Sequence, residues 1–243
     1  MIGLISSVPF EAGLITGSFR EGKNKKNPSL VEGSLQGKSS VYICSGIGAA
    51  NAARTVAILA ERKRPEAIIF FGIGGAYPSS GLQKGALAAA EVEIYAGCGL
   101  ITREITNMAK GTPVENGAAS SFKALGFPLL KKGRKVFFDN FPLDKPLLKK
   151  AKKCLPELAS GTFLTVCATG RSTRKAARLG ERHGAIVENM EGAAAAQTAL
   201  FYGIPLLELR GISNITGEPP SKWLKEEAAV NCQEAVLKLL ENW

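Results

Sequence analysis

The chain has 243 residues, 45% of them hydrophobic, and a mean hydropathy of +0.05, which suffices for a core in one large domain or two small ones and argues against disorder. Its 31 Lys and Arg against 21 Asp and Glu give +10, gathered at 21–27, 61–66, 131–135 and 145–153 with no zinc-finger, RNA-recognition or basic-zipper pattern, so the charge reads first as solvated surface, then as steering of an anionic substrate, and last as a nucleic-acid footprint. Five scattered cysteines (Cys44, Cys98, Cys154, Cys167, Cys232) without C-x-x-C, and a single histidine, exclude a disulfide framework and a convincing metal set; with no long apolar run and no leader, a cytoplasmic chain without a membrane span is expected.

In chain order, 1–8 reads as a first strand cut by Pro9, and a short helix can start near Phe10 before the polar, glycine-spotted segment 17–29. Segment 39–48 is a strand entering a glycine turn, 51–63 a helix, and 65–77 a second strand running into glycines. Segment 87–96 is a strand with Glu91 and Glu93 on the face opposite Val92 and Ile94. The middle, 103–160, carries few periodic runs. Order returns with a strand at 161–170, a basic helix at 171–184, a short strand at 185–189, an alanine-rich helix at 190–203 and a strand at 204–213. A terminal amphipathic helix spans 222–243, with Leu224, Ala228, Cys232, Val236 and Leu240 at i,i+4 spacing and Trp223 and Trp243 as packing anchors. Strands alternating with helices, several of them continuously apolar, predict one α/β domain over 1–243: a three-layer α/β/α arrangement around a central mixed, twisted sheet.

In such folds ligands meet the carboxyl ends of the strands. Glu11 follows the first strand, where a carboxylate can polarise a water or be a surface acid. "SGIGAANAA" (45–53) lacks both G-K-[ST] and the third glycine of a dinucleotide loop; Asn51 is a helix cap or a contact for a sugar hydroxyl. "FGIGGAY" (71–77) sets Gly72, Gly74 and Gly75 where backbone can approach a flat ligand, with Ala76 and Tyr77 as wall, although a plain turn explains them equally well. In "VENMEG" (187–192), Glu188 and Glu191 flank Asn189 and Met190; a carboxylate there can accept both hydrogen bonds of a ribose diol while the thioether lies on the sugar, or can simply favour a helix start. "ELRGISN" brings Arg210, Ser213 and Asn214 to another strand end, where an amide can satisfy two adjacent heterocycle atoms. His183 is read as a surface or capping residue.

These blocks together, "MIGLISSVPFE", "GIGAANAA", "FGIGGAY", "TVCATG" and above all 187–217, resemble the purine nucleoside phosphorylase/hydrolase superfamily. The likeness is greatest to its 5'-methylthioadenosine/S-adenosylhomocysteine nucleosidase branch, including the futalosine hydrolases of the menaquinone pathway. The resemblance implies a metal- and cofactor-free N-glycosidic hydrolase acting on a small purine nucleoside, with no nucleic-acid or membrane partner, assembled as a homodimer. It implies Glu11 as the group activating water, Glu191 on the ribose hydroxyls with Met190 and Asn189 beside it, and Gly74, Gly75, Cys167 and Ala168 in the base-binding wall. Arg210 and Ser213 are implied to position the purine side. Asn214 stands where adenine-specific members carry an aspartate, which points to a 6-oxopurine such as the hypoxanthine of futalosine.

Overall fold

Three nearly continuous apolar runs become the spine of the sheet: β1 (Ile2–Ser6), β5 (Ala67–Ala76) and β12 (Leu206–Ile215), each buried along almost its whole length. The computed structural model describes residues 1–23, 30–96, 123, 126–170 and 172–243; Cys98, Arg171 and much of the first half of 103–160 lie outside these. The remaining strands are β2 (Arg20–Lys23), β3 (Leu30–Leu35), β4 (Lys38–Cys44), β6 (Leu87–Tyr95), β7 (Leu130–Lys132), β8 (Lys135–Phe137), β9 (Asn140–Pro142), β10 (Ala159–Thr165) and β11 (Ala185–Asn189).

The order of the main sheet is β11-β10-β6-β12-β5-β1-β4-β3-β2, with β9 on β6. β4, β1, β5 and β12 run parallel, β6 lies antiparallel to β12, and β10 and β11 continue parallel to β6. β11 then returns to β5 antiparallel, through Val187↔Ala76 and Glu188↔Gly75. Five strands thereby close into a small barrel, leaving the β4–β3–β2 wing open. The sheet is mixed and covered on both faces, as the alternating pattern predicts.

The helices are α1 (Gly13–Gly17), α2 (Ala49–Arg62), α3 (Lys145–Cys154), α4 (Thr173–His183), α5 (Gly192–Tyr202) and α6 (Lys225–Glu241). On one face, α2 turns Ala52, Val56 and Leu59 inward against α5, whose Ala193–Ala196 and Ala199 are buried. Small side chains around α5 let two helices and a sheet meet closely, trading side-chain area for proximity. On the other face, α1, α3 and α6 cover Leu4, Ile69 and Leu209. A fully buried Leu or Ile of this kind contributes about 1.5–3 kcal/mol.

Three local expectations change. Segment 17–29 includes strand rather than only loop: β2 and β3 pair as a ribbon on β4, with Val31 and Leu35 buried two pleats apart and Gly33 masking the alternation. The glycines of 71–77 sit inside β5, not in a turn after it. Leu224 is 40% exposed and precedes α6, so the buried stripe begins at Ala228. Among the described residues no helix is long and apolar enough to cross a membrane, and all four described cysteines are free.

Candidate active site

The carboxyl ends of β1, β5, β11 and β12 converge on a cavity of about 250 Å³. Pro9 ends β1 and starts a single 3-10 turn, Pro9–Ala12, that swings Glu11 back over the strand end. The Glu11 side chain is 3% exposed. Its Oε2 accepts from the backbone N–H of Ser7 (3.0 Å) and Val8 (3.1 Å), and its Oε1 from Ile73 N (2.8 Å). Burial raises its pKa above the ordinary 4.5, opposed by the Arg210 charge and the backbone donors and reinforced by Glu191. A buried carboxylate, anchored by three amides yet more basic than usual, fits a general base. Gly72 makes this placement possible, because any Cβ there would strike Glu11 Oε1.

Glu191 stands at the N-cap of α5, 4% exposed. Its Oε1 accepts from Gly48 N (2.9 Å), and its Oε2 lies 3.4 Å from Arg210 Nη2. The turn before it is fixed by Asn189, whose Oδ1 accepts from the backbone N–H of Glu191 (2.9 Å) and Gly192 (2.7 Å). Asn51 neither caps α2, whose N-cap is Gly48, nor lines the cavity; its amide donates to Ile47 O (2.8 Å). The loop's contribution is the Gly48 amide instead.

Arg210 is 1% exposed, donating from Nε to Glu208 Oε1 (2.9 Å) and from Nη1 to Ile73 O (3.2 Å), its guanidinium 5.3 Å from the Phe70 ring centre. Burial alone would lower its pKa, but Glu208, Glu191 and Glu11 together raise it, so it stays charged. Its partners place it beside the Glu191 carboxylate.

The other end of the cavity is built around Gly75, which is paired with Glu188 on one side and Asn214 on the other. A register shift between Ile212 and Asn214 lets Ser213 and Asn214, consecutive residues, both line the cavity. Asn214 Oδ1 accepts from Ser213 Oγ (2.7 Å) and its Nδ2 donates to Ile215 O (3.3 Å), so the amide keeps one N–H and one acceptor site to spare. Glu188 Oε2 accepts from Tyr77 OH (3.1 Å), and Thr169 also hydrogen-bonds this carboxyl. Burial raises the Glu188 pKa, and those hydroxyls pull it back.

The expected residues Glu11, Gly74, Gly75, Asn189, Met190, Glu191, Arg210, Ser213 and Asn214 are thus gathered on one cavity. Cys167 and Ala168 are exposed in the loop after β10 and do not line it; Thr169 of the same loop does. Trp223, expected to anchor the last helix, lines the cavity as well, with Phe10, Ile47 and Lys225. Its indole donates to Glu218 O (3.1 Å). Trp243 does pack on the core, beneath Lys150. Glu188 also lines the cavity, and a sequence signal for it existed in the paired acids of 187–192. His183 ends α4, half-buried, outside the cavity.

A family model described as the phosphorylase superfamily matches residues 1–242. The chain belongs to the phosphorylase superfamily. Within this superfamily it falls in the nucleosidase branch. It is 35% identical to the futalosine hydrolase of Thermus thermophilus over 85% of this chain and 83% of that protein. It is 25% identical to the 5'-methylthioadenosine/S-adenosylhomocysteine nucleosidase of Mycobacterium tuberculosis over 89% of this chain and 86% of that one. The superfamily fold is shared with the Streptococcus pneumoniae MTA/SAH nucleosidase solved in complex with 8-aminoadenine, at TM-score 0.80 and 21% identity, covering 100% of this chain and 99% of that one.

Proposed function

We propose that this superfamily member is a nucleosidase that hydrolyses the N-glycosidic bond of a 6-oxopurine nucleoside, with futalosine as substrate and hypoxanthine and dehypoxanthinyl futalosine as products. The observation that carries the choice of base is Asn214 beside Glu188 across Gly75. A 6-oxopurine presents acceptors at O6 and N7 and a donor at N1–H. Asn214 Nδ2 suits the acceptors and a Glu188 carboxylate suits the donor. Adenine reverses the N1 and C6 pattern, so it would leave buried polar groups unpaired, a mismatch that sites of this kind reject strongly. Among the relatives described above, the futalosine hydrolase also has the higher identity.

In the reaction, Glu11 takes a proton from a water that attacks C1' from the face opposite the base. The C1'–N9 bond breaks and its electron pair passes into the purine, where Asn214 Nδ2 stabilises the growing negative charge. Glu191 holds the ribose hydroxyls, and the carboxylates Glu11 and Glu191 stabilise the oxocarbenium character of the sugar. The products are the C1' hemiacetal and the purine, which recovers the proton from water through solvent. No step calls on a metal or organic cofactor.

A second reading is an adenine-nucleoside hydrolase acting on methylthioadenosine, S-adenosylhomocysteine or 6-amino-6-deoxyfutalosine. MTA/SAH nucleosidases are more numerous among the relatives than futalosine hydrolases and align over a slightly broader share of the chain, and on that ground the comparisons weigh towards it. Incubation with futalosine and each adenine nucleoside in phosphate-free buffer, with the released base quantified, separates the two. Release of hypoxanthine well above adenine is expected, and Asn214→Asp should move the ratio towards adenine. Adenine release dominating in the wild type would overturn the 6-oxopurine reading, and activity only with added phosphate would overturn hydrolysis.

A further inference from the structure

Two carboxyls lie buried behind the cavity without lining it: Glu93 of β6 and Glu208 of β12, both 0% exposed. They meet beside Gly192, where an added Cβ would strike Glu93 Oε1 and Glu208 Oε2 together. With both oxygens crowded onto one buried point, two ionised carboxylates would repel, and a single proton held between them relieves the contact. Glu208 Oε1 accepts from Arg210 Nε at 2.9 Å, a cationic partner that favours the ionised form of Glu208 over that of Glu93. Among the described residues Glu93 accepts only from neutral donors, Thr165 Oγ1 at 2.7 Å and Asn189 Nδ2. Glu208 Oε2 is buried with no hydrogen-bond partner among the described residues, and a proton on Glu93 would supply the donor it lacks.

We propose that Glu93 carries a proton shared with Glu208 and that this acid pair positions Glu191; the positioning role rests on the reading that Glu191 holds the sugar. One arm runs from Glu93 to Asn189, whose Oδ1 fixes the amides of Glu191 and Gly192. The other runs from Glu208 to Arg210, whose Nη2 reaches the Glu191 carboxylate. Backbone and side chain of the same residue are thereby referenced to one pair. The other charged or titratable groups acting on it are Arg210, Glu191, Glu11 and Tyr77, with Arg210 the single cation among them. Four ionised carboxylates around one guanidinium, away from water, would cost more than one proton retained. Burial and Glu208 both push the Glu93 pKa upward, in the same direction. Thr165, which bonds Glu93, also accepts from Ala193 N (2.7 Å), so the start of α5 is tied to the pair a third time.

The full-length protein tests this in two independent ways. Infrared spectra at pH 8 should show the carbonyl stretch of a buried protonated carboxylic acid that disappears in Glu93→Gln; no band in the wild type, or a band unchanged in that variant, overturns the shared proton. Kinetically, with futalosine and methylthioadenosine as probes, Glu93→Leu should lower kcat/KM by about 100-fold and Glu93→Gln should recover it to within about tenfold of wild type. Gln keeps a donor for Glu208 and an acceptor for Thr165 but loses the acceptor for Asn189 Nδ2, hence a partial rescue. A Leu variant as active as wild type, or a Gln variant no better than Leu, overturns the positioning role. If the Leu variant does not fold, Glu208→Gln replaces it: stripping Arg210 of its anion should cost more than Glu93→Gln, and equal losses overturn the assignment of the proton. Should Glu191→Gln keep full turnover, the sugar-contact reading fails while the infrared result still decides the proton.

Discussion

Glu11 combines two demands that oppose each other: three backbone amides favour its charged form, and near-complete burial disfavours it. Burial prevails, so a base that must be ionised to accept a proton should fall inactive at higher pH than a free glutamate would. The acid limb of kcat/KM is expected to lie above pH 4.5, and Glu11→Gln should lower turnover about 10²–10⁴-fold and remove that limb. A pH–rate series on both proteins checks this, and a limb at 4.5 or below would separate Glu11 from the role. Glu11, Glu191 and Asn214 were legible as cavity residues because each lies at or just past the carboxyl end of a strand and carries a polar group. Gly72 was legible only as a glycine, since its meaning lies in the contact with Glu11, 61 positions away along the chain. Glu93 alternated like an exposed residue beside Glu91, and nothing in 87–96 says that β10, β11 and α5 would bury one and leave the other in solvent.

At the level of elements, the positions of α5 and α6 are set by missing side chains. Gly192 at the start of α5 leaves room for two carboxyls, and Gly211 in β12 faces the backbone carbonyl of Ala228, close enough that any Cβ would collide with it. Gly211→Ala should therefore push α6 away from the sheet and destabilise the fold by about 1–3 kcal/mol, seen as a lower urea midpoint with an unchanged slope. An unaltered midpoint would mean that the helix can yield freely there. The continuous apolar strands and the alanine-rich helix were readable from pattern, because their periodicity reports burial directly. The β2–β3 ribbon and the closure of β11 onto β5 were not, because short polar strands are decided by the partner they pair with.

Over the whole molecule, Glu11, Glu93, Glu188 and Glu208 all have pKa values raised first of all by burial. The folded state then retains protons that the unfolded chain sheds above about pH 4.5, so unfolding free energy falls as pH rises from there through the folded-state values. The urea midpoint is expected to decline from pH 5 to pH 8, the reverse of the acid sensitivity seen where buried carboxylates are matched by cations. A midpoint that is flat or rises over that interval would show that the fold does not hold these protons more tightly than the unfolded chain does. The +10 charge counts little in this balance, since it resides mainly in clusters such as α3 and the β7–β8 hairpin, away from the cavity.

Among the described residues the hydrogen bonds to Glu11 all come from main-chain N–H groups, those of Ser7, Val8 and Ile73, and all three of those residues also line the cavity. Their side chains can consequently be exchanged, short of proline, without loosening the base. Cavity lining and the hold on Glu11 thus fall to separate parts of the same residues. The shape of the cavity at 7, 8 and 73 can therefore vary with side chain while the donors to Glu11 stay in the main chain.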